Sequence, residues 1–345
     1  MQFKKYCSID EKGRTLTIDK YATYGYTDGD WVVTTKIHGA NFSIIVGKDE
    51  LKCARRTGIL PEGESFYNYK KVVERYLDNI KKVRELTLKE FDLDPDCVIQ
   101  LFGELFGGHY PHPDVKNVQG VKKVQDKVWY CPDVDFFPFD IYVRKSDEES
   151  FPLDHDVFER IVSEAGFVVY AKSLLTGSFE ECLAYPNDYP DFIHKFYDLP
   201  EIENNICEGN VLKPVKAACE PSGSRIILKN KNEKFKEREK VKDPKKSKPV
   251  HVSEEAKELV VLADEYINEN RLRNVVSHFG ELTDKDFGKV LGAFSQDVRK
   301  DMEGDDPEVF SKIDKEEQKR VNKVINNNCA ALMNKNFRNI IDGTF

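Results

Sequence analysis

No stretch of this 345-residue chain comes near a run of about 18 apolar residues, so no transmembrane helix is expected. The opening Met1-Gln2-Phe3-Lys4-Lys5-Tyr6 lacks the apolar core of a secretory leader. Paired cysteines are missing as well. Eight cysteines are scattered from Cys7 to Cys329 with no C-x-x-C among them, which argues against a zinc ribbon or a disulfide framework. The expected setting is therefore reducing and intracellular, in the cytoplasm or elsewhere inside a cell. His109 and His112 stand at helical ligand spacing, but Pro111 and Pro113 interrupt them and a loop is the better reading. Overall positive charge is lacking: the net charge of −8 excludes a protein that coats nucleic acid indiscriminately. Internal repeats are also absent.

What is present is an ordinary globular composition, 40% hydrophobic and 33% charged, in a chain long enough for two cores. Up to about residue 240 the sequence reads as mixed α and β. Strands are expected at Trp31–Thr34, Asn41–Val46, Val98–Phe106, Phe136–Val143, Phe167–Tyr170, Val211–Val215 and Ile226–Lys229. Helical spacing marks Tyr67–Leu88, and Asp156–Ala165 ends at Gly166 as at a helix C-cap. From Lys229 to Lys248 ten Lys/Arg face four Asp/Glu, an excess of six positive charges. Such a run is more often a solvated face than a nucleic-acid contact. Within it Asp243–Val250 has the prolines and small polar residues of a linker. Beyond it the pattern turns helical: Ser253 as a cap, Thr283 with Asp286 as a second, and Pro307 in the first turn of a helix running through Ile325. The expected division is 1–243, a linker at 244–252, and a small all-helical domain at 253–345.

Five segments have the residue types of a nucleotide site. Lys36-Ile37-His38-Gly39 follows the apolar Trp31-Val32-Val33, so Lys36 and His38 share a face of an extended segment. Gly39 marks a place where something approaches the backbone closely. Taken alone, K-x-H-G also suits a surface lysine before a turn glycine. Glu104 lies in the apolar run Gln100–Phe106, where a carboxylate must be paired or hydrogen-bonded. Phe139-Asp140-Ile141 offers an aromatic platform beside an acid, or simply core. Glu208-Gly209 opens a strand and could hold a divalent cation, or turn a hairpin. Lys229 and Lys231 leave an apolar strand on one face, as a phosphate would need.

In order and spacing these segments, with Arg56-Thr57-Gly58 and Lys213-Pro214, resemble the motifs of covalent nucleotidyltransferases: DNA ligases, RNA ligases and mRNA capping enzymes. The histidine after the lysine, followed by Gly39-Ala40-Asn41-Phe42-Ser43, is similar to the phage RNA ligase 2 family, T-even phage type, which also includes the kinetoplastid RNA-editing ligases. Asn270-Arg271 and Asp286-Phe287-Gly288-Lys289-Val290 continue the likeness.

The resemblance implies an α+β fold: a nucleotidyltransferase (ATP-grasp-like ligase) domain of antiparallel sheets with flanking helices, then the helical domain. It implies an ATP-dependent RNA ligase joining 3′-OH to 5′-phosphate, at nicks in duplex RNA, with Mg²⁺ or Mn²⁺, as a monomer without a membrane partner. Lys36 would take AMP. Lys229 and Lys231 would assist at the α-phosphate, and Phe139 would stack on adenine. Glu104 would bind the ribose, and Thr35, Ile37, His38, Asn41 and Arg56 would contact the nucleotide. Glu208 would position the metal with Asp140 in support. Asn41, Arg56, Arg271, Asp297 and Asp301 would engage RNA. Thr35 and Asp301 depart from the glutamates usual at their positions. A free lysine titrates near about 10.4; lowering that by about 2 to 3 is within reach of a cationic surround of Lys229, Lys231 and a metal. The rival readings are a DNA ligase or capping guanylyltransferase, which usually carry a β-barrel instead of a helical module, and a non-catalytic RNA-end-binding protein.

Overall fold

The computed structural model describes residues 3–12, 15–146, 149–220, 223–236 and 253–345. It divides into two compact units, Met1–Asn232 and Glu233–Phe345. The linker expected at 244–252, and residues 237–243 of the lysine-rich run before it, lie outside the described residues.

The first unit opens with a short strand, β1 (Asp10–Glu11), and helix α1 (Thr15–Thr23). Four strands follow: β2 (Trp31–Thr35), β3 (Ala40–Val46), β4 (Leu51–Arg55) and β5 (Gly58–Ile59). Helices α2 (Tyr69–Arg75) and α3 (Leu77–Glu90) lead into the long strands β6 (Val98–Gly107) and β7 (Val134–Arg144). After them come β8 (Ser150–Pro152), α4 (His155–Glu164), β9 (Ser173–Gly177) and α5 (Phe179–Ala184), then β10 (Gly209–Pro214) and β11 (Leu228–Lys231). One sheet runs β1-β11-β10-β2-β9 and the other β5-β4-β3-β6-β7-β8. Every pairing is antiparallel except the two-residue β1 against β11.

Alternation sorts the first sheet into two faces. Trp31, Val33, Leu212 and Leu228 pack with Phe179 and Cys182 of α5 and with Tyr21 of α1. On the opposite face Lys213, Lys229 and Lys231 stand at alternate positions of β10 and β11. The second sheet contains a register shift, with Phe102 opposite Asp140 but Gly103 opposite Pro138. Phe139 is the extra residue of that β-bulge, a device that re-aims a side chain at the edge of a functional surface.

Two elements differ from the expectation. Phe167–Tyr170 alternates buried and exposed but pairs with no strand. Gly166 has φ +90°, turning the chain, and Phe167 stacks on Tyr76 at 4.9 Å; the strand in that region is β9. The 67–88 helix is two helices, broken at Tyr76 with φ −102° and ψ 13°.

The second unit is all-helical among the described residues: α6 (Glu254–Tyr266), α7 (Glu269–Val276), α8 (Phe287–Asp305) and α9 (Lys315–Ile341). Ser253 caps α6 by accepting from the Ala256 amide at 3.2 Å, and a Thr283–Asp286 capping box precedes α8. Pro307 does not begin the last helix. Asp314 does, accepting from the Glu316 and Glu317 amides at 2.8 and 2.9 Å, because a side-chain acceptor with acids in the first turn is the stronger start signal. Leu259, Leu272, Phe294, Val298, Ile325 and Met333 form its core. No described helix is long and apolar enough to cross a membrane. All eight cysteines are free.

Candidate active site

The β2 backbone continues through Lys36, whose amide donates to the Gly209 carbonyl at 3.0 Å. This ties the lysine to the start of β10, and Glu208 immediately precedes that strand. Lys36 Nζ donates to Glu208 Oε2 at 2.7 Å, Lys231 Nζ stands 3.4 Å from Glu208 Oε1, and His38 Nδ1 lies 3.6 Å from Oε2. Glu208 is 2% exposed. Burial alone would raise its pKa, but Lys36 and Lys231 outweigh it and hold the carboxyl well below its ordinary range. His38 is also shifted down, by burial and against the pull of Glu208, and for an imidazole that favours the neutral ring. The surround of Lys36 is therefore not purely cationic as expected; a carboxylate is its nearest partner.

Gly39 and Gly209 are both required, for a reason other than ligand access. A Cβ on Gly39 would lie 2.3 Å from the Leu105 carbonyl, and one on Gly209 2.1 Å from the Asn230 carbonyl. Gly209 also has φ +142°. The close approach at each is by a neighbouring strand.

Glu104 pairs across the sheet with Asn41. Its Oε2 is buried with no hydrogen-bond partner. Burial pushes its pKa up to about 8; Lys36, Arg56 and Lys231 pull down and Glu208 adds to the rise. At neutral pH this is a carboxylic acid, able to give or take a hydrogen bond from a hydroxyl. Phe139, half-buried on its bulge, meets the edge of Tyr6 at 5.0 Å. Lys229 faces Glu11 at 3.4 Å. Ile37 is buried.

Three expected roles are corrected by geometry. Asp140 is not beside Glu208's cations. It accepts from the Tyr6 hydroxyl at 2.9 Å and faces Arg225 at 3.5 Å and Lys213 at 4.0 Å, all buried. With its oxygens so engaged it holds the fold rather than a metal. Thr35 is 5% exposed, with the Tyr189 hydroxyl 3.2 Å from its Oγ1, so its hydroxyl is spent inside the protein. Arg271 is 1% exposed, gripped by Asp297 at 2.7 Å, Asp301 at 2.9 Å and the Tyr266 carbonyl at 2.9 Å. It bolts α7 to α8 instead of presenting a cation to RNA. Asp297 and Asp301 are about a quarter to a third exposed, at 30% and 24%.

Sequence reasoning missed several residues. Tyr130 OH accepts from the His38 amide at 2.8 Å, and Tyr189 donates to the Gly209 carbonyl at 3.0 Å. Lys213, marked in the sequence only by its Lys213-Pro214 motif, donates from Nζ to the Phe139 carbonyl at 3.1 Å. Nothing local marks the tyrosines: Tyr130 lies in the apolar Val128-Trp129-Tyr130-Cys131 and Tyr189 among Asn187, Asp188 and Pro190.

Among the described residues no three His, Cys, Asp or Glu side chains gather into a closed metal cage. Glu208 is a single carboxylate in a cationic surround, which fits a hard cation that takes its other ligands from water and phosphate.

The RNA ligase family matches residues 29–231, more than half of the chain, and the T4 RNA ligase 2 C-terminal family matches 250–331. The chain belongs to the RNA ligase family. Mitochondrial RNA-editing ligase 1 of Trypanosoma brucei brucei is 29% identical over 277 residues, 71% of this chain and 57% of that protein. RNA-editing ligase 2 of the same organism is 27% identical over 248 residues, 65% and 59% respectively. The chain thus spans under two thirds of the length of those relatives. An RNA ligase of Naegleria gruberi, in a mutant solved with ATP and Mn, aligns with TM-score 0.43 and 17% identity over 68% of this chain and 58% of that one.

Proposed function

We propose that this protein is an ATP-dependent RNA ligase that joins a 3′-OH to a 5′-phosphate through a lysyl-AMP, acting on nicks in duplex RNA. The observation that carries the reading is the Lys36–Glu208–Lys231 triplet, with contacts of 2.7 and 3.4 Å, in a chain of this family. The buried, unpartnered Glu104 Oε2 and the Phe139 ring raised on a bulge suit the ribose and adenine of a nucleotide.

The deprotonated Lys36 amine attacks the α-phosphorus of ATP. The N–P bond forms as the bond to the bridging oxygen breaks, and pyrophosphate leaves with the electron pair. At rest Glu208 holds the Lys36 ammonium, so attack requires this pair to part. Lys231 and Lys229 then face the α-phosphate and neutralise charge that grows on its oxygens. A hydrated Mg²⁺ or Mn²⁺ held by Glu208 and phosphate oxygens would supply further positive charge there. AMP next passes to the RNA 5′-phosphate, and the 3′-OH attacks that phosphorus with release of AMP. His38, Asn41 and Arg56 stand beside Lys36 and Glu104 to orient the phosphate; the second unit, 233–345, serves the nick, its partly exposed acids Asp297 and Asp301 fixed by Arg271.

The test is incubation with α-labelled ATP or GTP and Mg²⁺ or Mn²⁺. Label from ATP that is lost in Lys36→Ala supports the reading. Label from GTP would indicate capping chemistry, and none would indicate an RNA-end-binding protein. Nicked duplexes with an RNA or DNA 3′-OH strand then decide the substrate.

A further inference from the structure

Residues 185–206, between α5 and Glu208, carry none of the nucleotidyltransferase motifs, yet they reach the back of the site at several points. Tyr185-Pro186-Asn187 lies along the ends of β10 and β11. The Asn187 side-chain amide donates both its protons, to Asn230 Oδ1 at 2.9 Å and to the Lys231 carbonyl at 2.8 Å. Its own carbonyl accepts from the Asn232 side chain at 3.3 Å and the Cys207 thiol at 3.5 Å. Cys207 immediately precedes Glu208, and Asn232 immediately follows Lys231. The Asn232 amide in turn donates to the Glu208 carbonyl at 2.8 Å. Asn210 and Asn230 donate to the Pro186 and Tyr185 carbonyls at 2.8 and 3.4 Å. One asparagine therefore holds both chain segments whose side chains, Glu208 and Lys231, face each other at 3.4 Å on the other side of the sheet.

This arrangement is more than ordinary loop packing. The antiparallel ladder of β10 and β11 ends at the Gly209–Lys231 pair, just where the two functional side chains emerge. Past that point one backbone bond, from the Asn232 amide to the Glu208 carbonyl, still ties the two segments. Asn187 adds a second constraint, with both side-chain protons and the backbone oxygen in use.

We propose that Asn187 is a positioning residue for nucleotidyl transfer: by donating its side-chain amide protons to Asn230 Oδ1 and to the Lys231 carbonyl, it helps set the separation of the Glu208 carboxylate and the Lys231 ammonium. It touches neither nucleotide nor RNA. The role rests on the lysyl-AMP reading of the site. A displacement of even about 1 Å at a group that stabilises a transition state costs on the order of 100-fold in rate, whereas ground-state contacts with the base and sugar, made by other elements, are left in place.

The experiment compares wild type, Lys36→Ala, Asn187→Ala and Asn187→Ser in the full chain. It records the single-turnover rate of lysyl-AMP formation against ATP concentration, the amplitude of labelling and the melting temperature. For Asn187→Ala the expected result is a maximal rate lowered on the order of 10- to 100-fold, full amplitude, and an ATP half-saturation within about threefold of wild type. Asn187→Ser, which keeps one donor, should fall between the two; it also serves if the alanine variant does not fold. A variant with wild-type rate and lowered melting temperature or amplitude would show a purely structural loop and overturn the inference. So would a loss confined to half-saturation. If wild type itself takes no label that Lys36→Ala abolishes, the reading of the site fails and takes this inference with it; wild-type labelling with an undisturbed Asn187→Ala rate sinks the inference alone.

Discussion

Two buried carboxylates in this molecule have nearly the same neighbours and opposite fates. Glu208 faces two lysines and an imidazole; Asp140 faces a lysine, an arginine and a phenol. Each is almost wholly out of water, 2% and 0% exposed. The difference lies in the cations. Lys36 and Lys231 keep side-chain exposures of 18% and 9%, against 3% for Lys213 and 1% for Arg225. The first set sits where a strand ladder ends and its lysines keep some access to water. The second is sealed, and its ions serve geometry: Lys213, lowered by burial to about 8 although Asp140 pulls up, grips the carbonyl of the bulged Phe139. A buried ion pair is functional where its partners can be traded and structural where they cannot.

The sharpest way to break this comparison is to neutralise each acid without changing its shape. Glu208→Gln should lower lysyl-AMP formation by on the order of 100-fold or more while the protein still melts near the wild-type temperature; activity within about threefold of wild type would refute the exchange role. Asp140→Asn should do the reverse in kind. It takes from Arg225 and Lys213 the carboxylate they share, a loss of about 3 to 5 kcal/mol on urea unfolding. Equal stability would place Asp140 outside the structural class.

Glu104 tests the margin between the two sets. Its folded pKa of about 8 exceeds the ordinary 4.5, so from pH 4.5 to 8 the native state keeps a proton that the unfolded state has released. This contribution makes stability fall as pH rises through that window. Glu104→Gln should therefore gain on wild type across it, by up to a few kcal/mol, in urea midpoints taken at each end. A constant difference would mean that Glu104 is ionised throughout. The smallest effect is expected for Tyr189→Phe, which removes one hydroxyl from the Gly209 carbonyl and Thr35 and should cost about 1 kcal/mol. A loss above about 3 kcal/mol would make that hydroxyl a keystone instead of one contact of several.

What could be read from the sequence was whatever is local. Lys36-x-His38-Gly39, Glu208-Gly209 and Lys229-x-Lys231 are strand ends, and period-2 alternation tells which side chains share a face. The alternation of Phe167–Tyr170 misled because it reports burial, not hydrogen bonding, and that segment has no ladder. Pro307 misled because a permissive start signal was preferred to the stronger Asp314 seven residues on. Asp140, Thr35 and Arg271 were assigned by likeness to outward roles that their tertiary partners forbid. Those partners, Tyr6, Tyr189, Arg225 and the aspartates of α8, come from 26 to 154 residues away, and no short pattern announces them. Asn187 escaped for the same reason.

Gly39 and Gly209 carry a last consequence. Each exists because a neighbouring carbonyl occupies the place of its Cβ, and neither depends on whether a nucleotide ever arrives. A related chain could lose Lys36 without relieving either close approach, so these two positions are constrained independently of it. The glycines are thus a fossil of the architecture that can outlive the trade. In any similar chain their presence reports that the strands still close, whatever stands at the lysine position.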